Sequence, residues 1–106
     1  MAWELKAGVS LVGLNIVMRK ALLLCHDEYK KINVTMRITC TTGGLHSLGS
    51  LHYYGYAVDL GINNIPTIDA KNKLLLSINS RFTDTGFQII SEDDHFHIEY
   101  DKITRA

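Results

Sequence analysis

Residue types that bind transition metals recur in this chain at separations a small fold can close: His52 and Asp59, seven positions apart, and His95 with His97, two apart near the C-terminus. Two imidazoles and a carboxylate, from His52, His97 and Asp59, make a three-donor set that leaves one coordination position for water. That is the plan of a catalytic zinc ion, since a structural zinc is more often closed by four donors, frequently cysteines. The chemistry implied is hydrolysis, with the cation activating water near neutral pH and polarising a carbonyl. Such a centre also needs a group that moves protons, and Glu92, Asp93, Asp94 and His95 all stand close to His97. His95 is alternatively a hydrogen-bond donor to substrate or to a developing oxyanion. Arg37 lies on the polar face of an alternating segment and suits a two-pronged contact with a substrate carboxylate.

These spacings place demands on the chain. Seven is an odd separation, so in an unbroken strand His52 and Asp59 would project from opposite faces. Gly55 lies between them and is the residue best able to take a turn or bulge conformation that swings His52 over the face of Asp59. Ala57, on the same face as Asp59, leaves space above the sheet. His95 and His97, two apart on a strand, share one side, while Phe96, Ile98 and Tyr100 face the core.

The elements that must position these groups follow from periodicity. Leu11, Leu14, Met18, Ala21, Leu22, Cys25 and Tyr29 recur at three- and four-residue steps, predicting a helix over 10–31 with Ser10 as its N-cap. Over 33–41 the pattern alternates, with Val34, Met36, Ile38 and Cys40 on the core face of a strand. Residues 42–51, rich in Gly, Ser and Thr, read as an irregular loop. A strand over 56–60, a helix over 67–80 capped by Thr67 or Asp69, and a hairpin of strands 87–90 and 95–101 complete the chain. The predicted fold is α+β: a small, mostly antiparallel sheet with its helices packed on one face and the other face free for a site.

Composition narrows the rest. A chain of 106 residues, 46% hydrophobic with 8 Gly and 1 Pro, makes one compact domain that folds alone as a monomer. Eleven basic residues balance eleven acidic ones, so no global field draws the chain to nucleic acid or to an anionic membrane. Cys25 and Cys40 lack redox or zinc-pair spacing and are expected as buried reduced thiols. The N-terminal sequence does not read as a signal peptide, and no apolar run is long enough to span a bilayer, so synthesis in the cytoplasm is expected.

These residues also carry a family resemblance. Ser50-Leu-His52-Tyr-Tyr-Gly55-Tyr-Ala57-Val-Asp59 matches the pattern S-x-H-x-x-G-x-A-x-D, and Asp94-His-Phe-His97 matches a later acidic-x-x-H element. Together they resemble the zinc D-alanyl-D-alanine carboxypeptidases and L-alanyl-D-glutamate endopeptidases of peptidoglycan, whose fold is shared with the hedgehog signalling domain. The resemblance runs from about Arg37 to Tyr100. It implies that His52, Asp59 and His97 hold Zn2+ and that Asp94 is the catalytic acid/base, where many members have Glu and a subset similar to phage endolysins has Asp. It aligns Arg37 with the family's substrate-binding arginine. Ser50, with no base placed to activate it, reads as a hydrogen bonder to local backbone or to the groups around the substrate rather than as a nucleophile. The resemblance further implies a peptidoglycan stem peptide or cross-link as substrate. A compact phage-encoded lysis enzyme of this kind would reach the wall after release through a permeabilised membrane.

Plainer readings stand beside each residue. His26 falls beside the helix core stripe and reads as structural, while His46 either lines the cleft or is simply exposed. Tyr53, Tyr54 and Tyr56 read first as packing residues with a wet hydroxyl. Two rival functions remain: an inactive zinc-binding module that recognises peptides, and an amidase on a small substrate outside the wall. The aim of Asp94 bears on the first rival: a carboxylate directed at the reacting water favours hydrolysis, and one pointing to solvent favours a binding role.

Overall fold

The computed structural model describes residues 3–43, 51–52, 54–83 and 86–101. Strand β1 (Glu4–Leu5) is followed by helix α1 (Ile16–Lys31) and strands β2 (Arg37–Cys40) and β3 (Ala57–Gly61). Helix α2 (Ile68–Arg81) then leads to the hairpin of β4 (Phe87–Ser91) and β5 (His95–Tyr100). The five strands form one mixed sheet in the order β1-β2-β3-β5-β4, parallel between β1 and β2 and antiparallel elsewhere. The α+β class and the mostly antiparallel sheet agree with the periodicity. Strand β1 was not expected, because two residues are too few to display a period. Its parallel pairing with β2 needs a crossover, and α1 is that crossover.

The start of α1 corrects the expectation at Ser10. Ser10 Oγ accepts from the Val12 N–H in a local turn, Gly13 takes φ +83°, and the helix begins only at Ile16. Asn15 is the N-cap, its side chain accepting from the Val17 N–H at 3.0 Å. At the other end Asn33 adopts φ 59°, donating to Lys30 O while Val34 donates to Tyr29 O, the paired bonds of a Schellman cap. Thr67 caps α2 as expected, accepting from the Ala70 N–H.

One apolar core joins both helices to one face of the sheet. Met18, Leu22, Cys25 and Tyr29 of α1 and Leu74 and Ile78 of α2 pack with Ile38, Val58, Leu60, Phe96 and Ile98. The alternation of β3 and β5 therefore sends Asp59, His95 and His97 to the opposite face. The helices are also tied by charge. The buried carboxylate of Glu28 on α1 meets Lys31 Nζ at 2.8 Å and Arg81 Nη1 of α2 at 2.9 Å. Those two cations hold Glu28 below the usual glutamate range, although burial pushes the other way.

The turn that carries His52 depends on Gly55. Its φ is +76°, its N–H donates to His52 O, and Tyr56 N–H donates to Leu51 O. A Cβ at this position would stand 2.2 Å from Gly13 O and 3.1 Å from Asn15 N, so no side chain fits. Gly55 O in turn accepts from the Asn15 N–H at 2.9 Å, linking the turn to the cap of α1.

Gly55→Ala is expected to destabilise the protein by at least about 2 kcal/mol, positive φ alone costing about 1–3, as urea unfolding would register. The Glu28 cluster has a defined pH signature. Because the folded pKa lies below the unfolded one, its contribution is complete above about pH 4.3 and is lost as pH falls through the lowered folded value. Glu28→Gln is expected to lower stability at neutral pH by about 1–3 kcal/mol and to flatten the acid limb of the stability curve.

Candidate metal centre

The site forms where β3 lies between β2 and β5. Asp59, at the middle of β3, pairs across the ladder with His97 on β5 and with Cys40 on β2. Asp59 Oδ1 then lies 3.0 Å from His97 Nδ1, 3.3 Å from His52 Nε2 and 3.7 Å from His95 Nε2. His52, His97 and His95 thus surround one oxygen of Asp59; of the expected metal donors, His52 and Asp59 belong to a group whose ligand atoms all lie within 4.8 Å of one another, and His97 does not. His52 is only 3% exposed and its ring meets that of His97 edge-on.

Each imidazole has an acceptor on its far nitrogen. His52 Nδ1 lies 2.7 Å from Thr41 O, His97 Nε2 lies 3.1 Å from Glu99 Oε1, and His95 Nδ1 lies 2.6 Å from Asp94 Oδ1. An acceptor there places the N–H of a neutral ring on the far side, so that the bare nitrogen faces Asp59. Three lone pairs turned on a carboxylate oxygen repel unless positive charge lies among them, supplied either by protons or by a cation. The His97 pKa is raised by its hydrogen bond to Asp59, against the opposing effect of burial. Burial alone would raise Asp59, but hydrogen bonds from His52 and His97 hold its carboxyl well below the usual range.

Cys40 corrects one expectation and adds a donor. Read as an alternating strand, it belongs to the core face with Ile38. However, Ile38 pairs with Leu60 while Cys40 pairs with Asp59, so two steps on β2 match one on β3. This bulge turns Cys40 over to the face of Asp59. A thiol sulfur, an imidazole nitrogen and a carboxylate oxygen from Cys40, His52 and Asp59 consequently all lie within 4.8 Å of one another. These three can hold a metal ion, a property that neither the spacing nor the family pattern signalled. Cys40 is half-buried rather than buried, and burial and then the Asp59 carboxylate push its thiol pKa up. Cys25 matches expectation as a buried thiol, and neither cysteine is in a disulfide.

Arg37 and Asp94 line one open cleft of about 570 Å³, with Arg37, Thr39 and Cys40 on one side and Asp59, Asp94 and His95 on the other. The Asp94 side chain is 75% exposed and its bond is to His95, which holds the Asp94 carboxyl below its ordinary value. Arg37 pairs with Glu4 Oε1 at 3.4 Å across β1 and β2. Ser50, His46 and Tyr53 lie outside the described residues. Glu99, two residues after His97 on the same strand face, was missed by the sequence reading. The i, i+2 spacing from His97 was the available signal, hidden because exposed strand carboxylates are common.

The donor chemistry fits a divalent cation. Imidazole, carboxylate and thiol suit zinc or cobalt better than magnesium or calcium, which prefer all-oxygen shells. The acceptors behind the rings are the kind that orient metal-binding histidines. No family model matches the chain, and neither curated proteins nor solved structures contain a match. Among the described residues, no helix is long and apolar enough to cross a membrane.

Titration with zinc to about a hundred times its dissociation constant is expected to raise the unfolding free energy by about 2.7 kcal/mol. Asp59→Ala and His52→Ala are expected to abolish that increment, read as the zinc-dependent shift in urea midpoint.

Proposed function

We propose that this chain is a zinc-dependent peptidase that hydrolyses an amide bond in the peptide portion of bacterial peptidoglycan. The observation that carries the reading is the convergence of three imidazole nitrogens on Asp59 Oδ1, at 3.0–3.7 Å, beside an open cleft. The substrate class comes from the S-x-H-x-x-G-x-A-x-D motif and its likeness to the hedgehog-fold peptidoglycan peptidases. That likeness also suggests a compact lysis enzyme acting as a monomer on the wall after release from the cell.

His52, Asp59 and His97 would hold the cation, which when bound acts as a Lewis acid that polarises a carbonyl and activates water. Thr41 O and Glu99 keep His52 and His97 in the tautomers that present nitrogen lone pairs to it. His95 is the proton carrier nearest the centre, its Nε2 toward Asp59 and its Nδ1 held by Asp94. Asp94 serves as a positioning residue for His95, a shift of emphasis from the family pattern that follows from the 2.6 Å bond between them. Arg37, on the opposite wall of the cleft, would exchange Glu4 for a carboxylate of the stem peptide. Both groups of the Arg37–Glu4 pair are well exposed, so releasing it costs little.

A second reading, an inactive zinc module that binds peptides, is favoured by the outward exposure of Asp94. Both are tested by incubating zinc-loaded protein with purified peptidoglycan and identifying released fragments by mass. Cleavage of a stem or cross-link amide is expected, with His97→Ala at least about 100-fold slower. His95→Ala should lose about 100-fold in kcat, within the usual range for a general acid or base. Asp94→Ala is expected to lower kcat about ten-fold with KM unchanged, the signature of an orienting role. Tight zinc binding with no fragment release would replace the peptidase reading by the binding module.

A further inference from the structure

Cys40 is the one metal-grade donor at the centre that the proposed hydrolytic chemistry does not use. Its placement is built into the backbone, since the bulge between Ile38 and Cys40 is what sets it opposite Asp59. The next residue supplies the carbonyl that accepts from His52 Nδ1, so the end of β2 provides both a sulfur and the group that orients a neighbouring donor. Around a tetrahedral zinc, donor atoms stand roughly 3.3–3.6 Å apart. The 4.8 Å limit within which Cys40, His52 and Asp59 already fall is roughly 1.2–1.5 Å wider. The sulfur makes weak contacts to Gly43 O at 3.6 Å and Thr41 O at 3.9 Å. Modest side-chain adjustment closes the difference.

Resting on the metal-centre reading above, we propose that Cys40 is a donor to the cation alongside His52 and Asp59, the three already near one another, with His97 swinging in to complete a four-donor set. The protein then has a latched state in which sulfur holds the position that hydrolysis requires for water, and turnover begins when Cys40 withdraws. Cys40 lies on the wall shared by the main cleft and a neighbouring hollow of about 300 Å³, both of which also include Lys6 and Thr39. The second hollow gives the withdrawn side chain somewhere to go. Three-donor sites turn over and four-donor sites with cysteine store or stabilise, so one residue separates the two behaviours.

The test uses the full chain loaded with cobalt(II), whose visible bands report binding and whose near-ultraviolet charge-transfer band reports sulfur ligation. The wild type is expected to show both, and Cys40→Ser to keep the visible bands, lose the near-ultraviolet band and bind at least ten-fold more weakly in chelator competition. At saturating zinc, Cys40→Ser is expected to release peptidoglycan fragments at least ten-fold faster than the wild type. Visible bands in the wild type without the sulfur band overturn the proposal, as does a wild-type hydrolysis rate equal to that of the variant. Absence of every cobalt band overturns the metal centre itself, and cobalt bands without hydrolysis in any variant overturn only the peptidase reading and the latch with it. Should Cys40→Ser fail to fold, alkylation of the wild type by iodoacetamide decides sulfur ligation, with an S–C bond formed and iodide lost. Bound zinc is expected to slow modification of Cys40 at least ten-fold, and equal rates with and without zinc overturn the proposal.

Discussion

A carboxylate drawn partly out of water must find hydrogen-bond donors or positive charge, and Asp59 has three imidazole nitrogens at 3.0–3.7 Å. Protons or a divalent cation can supply such charge. The geometry can support either because each ring is held from behind, by Thr41 O, Glu99 or Asp94. Rings anchored on the outer side keep their orientation when the inner partner changes.

The site and the fold share components. Asn15 caps α1 with its side chain and with its N–H holds Gly55 O, so the helix that fills the core also secures the turn bearing His52. Tyr29 of the same helix donates its hydroxyl to Gly61 O at the end of β3, the strand that carries Asp59. Core packing of Val58, Leu60, Phe96 and Ile98 on one face of the sheet leaves the alternate residues of the same strands to assemble the centre on the other. Displacement of a helix would therefore be felt at the donors, although no helix contributes one.

Much of this was legible from local patterns. The alternation around His97 and Asp59, the helix over most of α1 and the Thr67 cap are repeats of period two or 3.6 within a few residues of chain. The bend at Gly55 was legible for a different reason, since an odd separation of donors leaves few other ways to bring them together. The start of α1 was misjudged because Leu11 and Leu14 continue the helical period through a turned segment. Leu14 is buried there as it would be in a helix, so the pattern could not distinguish the two.

The sequence by itself determined which faces of β3 and β5 are apolar and which carry the candidate donors, because a strand's alternation is a property of its own backbone. It also determined that His52 needs a turn to reach Asp59. Tertiary structure alone decided that Cys40 joins them, since a bulge is a mismatch between two strands and neither strand shows it separately. The same holds for β1, which exists only as a partner of β2, and for Asp94, whose placement against His95 depends on how the hairpin closes. Periodicity is written along one segment; register and approach are relations between segments, and those relations select the donors a cation would meet.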